Sequence, residues 1–396
     1  METRRRAVVI AVGAGQTLGW GSTYYLPAIL AEPMAAEIDV TTGLVYAAFS
    51  AALILSALLG PIVGRQIDKL GGRGLLWTAN LVFAAGLGML GLAENALGLF
   101  AAWLVIGVGM SMGLYDAAFA TLAGLYGRNA RGAITGITLM AGFASTICWP
   151  VTAFMEAEIG WRAACFAWAA AHLVIGLPLN RLFVPKGTGA PASDDPAGET
   201  HQSTGSAAPP KFAAAILALV FAITWFTSTA MAAHLPRILQ EAGASPAAAI
   251  AAAALVGPAQ VAGRLLEFGF LKHYHPLLSA RLAALTHPLG AAVILAAGAP
   301  AASAFSLLHG AGNGILTITN GTLPLAIFGA VGYGRRQGLL MAPARFVQAG
   351  APFLFALAID HMGAAALMLS GVLGLVSFAA LMALRPPTHG AQGTNS

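Results

Sequence analysis

Long stretches without a charged side chain constrain this chain more than any other feature of its sequence. Residues 7–31, 40–64, 74–93, 95–115, 132–155 and 163–180 contain no Asp, Glu, Lys or Arg. After a polar interval the pattern resumes at 212–236, 242–263, 282–334, 337–359 (broken only by Arg345) and 361–384. A helix needs roughly 20 apolar residues to cross the hydrocarbon core of a bilayer, so each run is one span and 282–334 holds two. The pattern predicts six spans, a linker and six more. The interval 184–211 is rich in Pro, Gly and Ser and reads as a flexible linker between halves 1–183 and 212–396.

Composition excludes the alternatives. Only 20 Lys+Arg and 15 Asp+Glu occur in 396 residues, about 9%, against roughly 25% in a soluble domain. With 58% hydrophobic residues and a mean hydropathy of +0.77, lipid must cover most of the surface. Disorder, collagen and coiled coil need polar excess, a Gly-X-Y period or charged heptad flanks. Cys148 and Cys165 sit in apolar stretches without ligand spacing, and His273-x-His275 has no further ligand nearby, so neither metal nor cofactor is expected. Arg4, Arg5 and Arg6 precede 25 uncharged residues, a full span rather than the short core of a cleaved leader. With no HExxH, GxSxG or Walker sequence, an enzyme is not expected.

Threading the spans puts 17 of the 20 basic residues on one side, including Arg65, Lys69, Arg73, Arg128, Arg131 and Arg264. Positive residues mark the cytoplasmic side. Both termini and the linker are therefore expected in the cytoplasm of a bacterial-type inner membrane, and the basic balance needs no nucleic-acid partner.

The halves repeat each other. Leu26-Pro27-Ala28-Ile29-Leu30 matches Leu235-Pro236-Arg237-Ile238-Leu239; Gly64-Arg65-Gln66-Ile67-Asp68 matches Gly263-Arg264-Leu265-Leu266-Glu267. Gly107-Val108-Gly109 matches Gly310-Ala311-Gly312, and Tyr126-Gly127-Arg128 matches Tyr333-Gly334-Arg335, at offsets of 199 to 209 residues. Parallel six-helix repeats with a mid-membrane site between them are one transporter construction.

With these repeats, residues 64–73 (GRQIDKLGGR) resemble the loop signature of the major facilitator superfamily at Gly64, Asp68, Lys69, Gly71 and Arg73; Gly72 departs from it. The resemblance covers essentially the whole chain. It implies an all-α integral membrane protein of 12 transmembrane helices in two pseudo-symmetric six-helix bundles. It also implies that Asp68 pairs with Arg128 or Arg131 and faces the N-terminus of helix 11, with Arg264 and Glu267 as the second-half copy. An anion at a helix N-terminus is favoured by about 0.3 to 1 kcal/mol, so such a latch would favour one transport state. Residues 15–25 (GQTLGWGSTYY) also resemble monocarboxylate and oxalate/formate type porters.

Polar residues inside spans are costly and mark function by default. Gln16, Trp20 and Tyr24 share one face of span 1, with Tyr25 beside them; Thr227, Met231 and His234 share a face of span 7; His309, Asn313, Thr317 and Asn320 share a face of span 10. These stripes line a cavity or bond neighbouring helices. The resemblance implies that helices 1, 4, 7 and 10 line the central cavity. Asp116 and Arg345 lie about ten residues inside spans 4 and 11, roughly 13 to 15 Å from the same membrane face. Arg345 suits an anion. Asp116 either carries a proton as its surroundings change from dry to wet, or joins Arg345 in an interdomain salt bridge. The expectation is a monomeric, alternating-access transporter, proton-coupled, for a small organic anion such as a monocarboxylate, with Gln16, Trp20, Tyr24, Tyr25, His234, His309, Asn313, Asn320 and Arg345 as substrate contacts. The alternative is an exporter of drugs or other toxic compounds.

Overall fold

The computed structural model describes residues 2–186 and 212–384, and every regular element among them is helical. Most of the expected linker, 187–211, lies outside the described residues. The helices group into twelve rods. In the first half, α1 comprises Glu2–Gly19, a π-turn Trp20–Tyr24 and Pro27–Ile38; α2 is Thr42–Leu70, α3 Gly72–Gly91, and α4 Ala96–Gly113 with Tyr115–Tyr126. Rod α5 starts as Arg131–Ala141 and continues into Ala144–Ala171, within which the chain turns at Gly160 (φ 78°) to begin α6. That rod passes through a second π-turn, His172–Gly176, and ends as Leu177–Phe183. In the second half α7 is Ala213–Glu241, α8 Pro246–Ala254 with Val256–Gly269, α9 Pro276–Ala297, α10 Ala302–Phe328, α11 Tyr333–Met362 and α12 Ala366–Ala383. Among the described residues, eight helical stretches are long and apolar enough to cross a membrane. Thr41, Asn95 and Ser245 cap α2, α4 and α8 by accepting from a backbone N–H three residues on, so the short loops turn without leaving helix-end donors bare.

The described ends at residues 2, 186, 212 and 384 all lie on one face, called here the terminal face. The repeat in sequence is a repeat in packing. A Cβ at Gly107 would press on the Ala52 backbone of α2, and one at Gly109 on Phe83 of α3; in the second half Gly310 abuts Val256 of α8 and Gly312 abuts Ala283 of α9. Glycine thus lets α4 and α10 each lie close against two neighbours. Arg73 at the start of α3 donates to the Arg181 carbonyl at 2.5 Å, closing the end of α6. Arg281 at the start of α9 donates to the Leu381 and Leu384 carbonyls at the end of α12.

The two halves meet mainly through the segments nearest the terminal face: Tyr115–Tyr126 of α4, Arg131–Ala141 of α5 and Val256–Gly269 of α8, together with α2 against α11. Ala96–Gly113 and Pro246–Ala254, toward the opposite face, pack within their own halves. The conformation is closed at the terminal face.

Candidate central site and latch

The break in α4 at Leu114 (ψ −169°) releases the Gly113 carbonyl, and Gln16 Nε2 donates to it at 2.6 Å. The next residues, Tyr115 and Asp116, start the second helix of α4 and face the seam between the halves. Arg345 of α11, buried, donates through Nη2 to Asp116 Oδ2 at 3.3 Å and through Nη1 to Gln348 Oε1 at 3.1 Å. Its guanidinium carbon lies 4.7 Å from the ring centre of Trp225 in α7. Gln348 Nε2 in turn donates to the Tyr24 hydroxyl at 2.5 Å, and Tyr24 stands 3.4 Å from Thr229 Oγ1. Trp20 stacks parallel to Trp225 at 6.2 Å and meets Tyr24 and Tyr115 at 4.9 Å. The π-turn of α1 presents Trp20 and Tyr24 to this cluster, while Ser22, between them, points away and meets His172 Nε2 at 2.7 Å; His172 Nδ1 meets Asn80 Oδ1 at 2.8 Å. Asn320 of α10, with its side-chain oxygen turned toward α7, accepts from Trp225 Nε1 at 3.2 Å. The result is a single arginine among aromatic rings, contributed by both halves and facing one carboxylate.

Of the expected contacts, Trp20, Tyr24, Asn320, Arg345 and Asp116 come together here, with Tyr25 6.3 Å from Trp20 between ring centres. Others do not. Gln16 is engaged by the α4 break. His309 and Asn313 face a cavity inside the second half, where His309 meets His287 of α9. His234 stacks on Phe355 at 6.4 Å, toward the opposite face. The stripe on α10 is therefore split between two places. Trp225, Thr229, Tyr115 and Gln348 are absent from the sequence-based expectation. Gln348 carried a signal, a polar side chain one turn from Arg345; Trp225 carried none, since a tryptophan in an apolar helix reads as core.

The latch at the terminal face is built on backbone. Asp68 Oδ1 accepts from the Gly334 N–H and Oδ2 from the Arg335 N–H, both at 2.9 Å, at the N-terminus of α11. Gly64 sits against Gly334, and Gly60 against Gly338; any Cβ on Gly64 or Gly334 would overlap the facing backbone. Gly71 takes φ 77°, a conformation that favours glycine, and ends α2. Lys69 is exposed, and Arg73 bonds within its own half, to the Arg181 carbonyl. Arg131 does not pair with Asp68: it donates to Glu267 Oε1 at 2.9 Å, to the Leu271 carbonyl and to the Tyr274 carbonyl. The reason is registry, since the start of α5 packs on α8 rather than on α2. The Arg128 side chain lies outside the described residues. The repeat thus yields two seams, Asp68 on α11 and Glu267 on α5. Arg264 departs from its counterpart: Arg65 is exposed, whereas Arg264 is buried against Gly142 at the break in α5, and its Nε and Nη1 have no partner among the described residues.

Comparisons with known proteins agree with this geometry. The family model described as Major Facilitator Superfamily matches residues 12–330. Among solved structures the fold is similar to the human organic anion transporter MFSD10 (TETRAN), with a TM-score of 0.72 and 16% identity over 95% of this chain and 99% of that one. It is similar also to the proton:xylose symporter XylE bound to 6-bromo-6-deoxy-D-glucose (TM-score 0.73, 14% identity, 98% and 97% covered). A third is FucP in the outward conformation (0.74, 14%, 94% and 97%). A search of curated proteins finds no match. The chain belongs to the major facilitator superfamily, a family of multi-pass membrane transporters.

Proposed function

We propose that the chain is a secondary active transporter of a small organic anion, working by alternating access. The observation that carries this is Arg345: a permanently charged fork, buried near mid-depth at the seam, whose only carboxylate partner, among the described residues, belongs to the other half. A substrate carboxylate competes with Asp116 for that fork. Protonating Asp116 frees the guanidinium for substrate, which links proton and anion binding. Arg264 supplies a second cation, because its unpartnered donors are costly in a dry setting and reward an anion that reaches them; Tyr25 and Tyr115 lie within its electrostatic reach. Trp20, Tyr24 and Trp225 form the apolar wall, which suits a short carbon chain behind a carboxylate. The terminal face is cytoplasmic by its excess of Lys and Arg, and the unit is a monomer in an inner membrane.

The aromatic wall also favours a second reading, an exporter of lipophilic compounds, since such rings bind cations and apolar bodies alike. A thermal-shift screen of purified protein against pyruvate, lactate, sugars, amino acids and lipophilic cations separates the two, because a ligand of the folded state raises its melting temperature. Stabilisation by a short carboxylate in wild type but not in Arg345→Ala is expected. Stabilisation by lipophilic cations alone overturns the anion reading in favour of the second.

A further inference from the structure

A second polar centre lies wholly inside the second half. Rods α7, α9, α10 and α12 border a cavity of about 30 Å³, room for one or two waters, lined by Thr227, Thr286, His287, His309, Asn313 and Ser377 among others. Three buried polar atoms on this lining, Thr227 Oγ1, His287 Nε2 and Ser377 Oγ, have no hydrogen-bond partner among the described residues. Unpaired buried polar groups are rare and call for an occupant; a polar cavity of this kind holds ordered water, which bonds two to four such groups. Two histidines meet at its wall: His287 Nδ1 and His309 Nδ1 are 3.0 Å apart, with both rings buried.

That contact fixes the tautomers as a pair. One ring must donate its Nδ1–H and keep a bare Nε2, while the other accepts at Nδ1 and carries Nε2–H. We propose that His287 and His309 form a proton-binding site, hydrated by the cavity, separate from the anion site at Arg345 and coupled to it through α10 and α7. A proton delivered by water adds to the bare Nε2, and the shared Nδ1–H bond survives. The product is one imidazolium donating to one imidazole, a charge-assisted bond stronger than the neutral one. The new N–H finds acceptors, through water, in the hydroxyls of Thr227 and Ser377 and the amide oxygen of Asn313. Among the described residues no Asp, Glu, Lys or Arg lines the cavity: α7 contributes Thr224, Thr227 and Ser228, α12 contributes Gly374 and Ser377, and the two rings of α9 and α10 are the titratable groups. Without a counter-charge the site favours its neutral form while dry and takes up a proton when water enters, so occupancy follows the transport state. The link to the anion site is physical. His309 shares a face of α10 with Asn320, which accepts from Trp225, and Trp225 lies under Arg345; Thr224 and Thr227 flank Trp225 on α7.

The test needs no substrate. Residue-resolved hydrogen–deuterium exchange at the imidazole C2 position, read by mass spectrometry on the full chain in nanodiscs, reports protonation of each histidine. Exchange at the two rings is expected to change with pH, and His309→Gln is expected to move the His287 midpoint by about one pH unit, a tenfold change in proton affinity. Should His309→Gln fail to fold, His287→Gln reads the same coupling from the other ring. Asp116→Asn is expected to leave both midpoints unmoved, so this result stands or falls apart from the proposed role of Asp116. Exchange that is flat with pH, or a midpoint indifferent to removal of the partner ring, overturns the proposal; stabilisation by sodium at constant pH with flat exchange assigns the cavity to a metal cation instead.

Discussion

Arg345 and Asp116 stood out in the sequence because charge is scarce, and they meet in the fold at 3.3 Å. What the sequence did not hold was the company they keep. Periodicity within one helix groups Arg345 with Gln348, whereas Trp225 of α7 and Tyr24 of α1 reach that pair from two other rods, a matter of crossing geometry. On the proposed mechanism Arg345→Lys, which keeps the charge and loses the fork, weakens binding of a short carboxylate at least about tenfold. Asp116→Asn, which removes the competing carboxylate, binds it more tightly than wild type does; both are read by titration calorimetry. Outside the spans, Glu37 accepts from Arg162 Nε at 2.7 Å and from the Trp161 indole at 2.5 Å. The Arg162 guanidinium first, and the indole second, hold its carboxyl below the usual carboxylate range. A folded-state value depressed in this way adds stability above the ordinary carboxyl range that is lost as pH falls through the folded value. Glu37→Gln is expected to flatten that part of the melting-temperature curve.

At the scale of elements, hydropathy made the order of the rods legible, and the departures are at their ends, by one to three turns. The charged runs Arg4–Arg6 and Arg65–Leu70, which read as loops, are helical, because a rod continues past the hydrocarbon into the wet interface. The π-turns were invisible, since no composition signal announces one extra residue per turn. Their support is local: His172 is buried between Ser22 and Asn80. Asn80→Ala leaves one ring nitrogen of His172 unpaired, a cost of about 1 to 3 kcal/mol, so a lowered melting temperature is expected, with loss of Trp20 from its present stack. At the α2–α11 seam, Gly64→Val drives a branched side chain into the Gly334 backbone. Overpacking of that kind costs about 1 to 3 kcal/mol; the expected outcome is a shift toward the state open at the terminal face, visible as longer spin-label distances across the seam.

For the whole molecule, the repeat of weak motifs was the best guide, because the glycine matches mark a packing event that both halves need, where α4 or α10 nestles; the arginines that close α6 and α12 repeat in the fold without a matching sequence motif. Those contacts stay inside a half and make it a unit. The contacts that join the units differ in kind. Asp68 reaches backbone N–H groups over a glycine contact, while the other seam depends on Arg131 and Glu267, opposite charges 2.9 Å apart with the carboxylate fully buried. Charges this close and this far out of water are screened little at a Debye length of about 8 Å, so ionic strength has little hold on the closed gate. Salt acts once the gate has opened and these charges stand in water, and so tunes how readily it recloses rather than how firmly it stays shut.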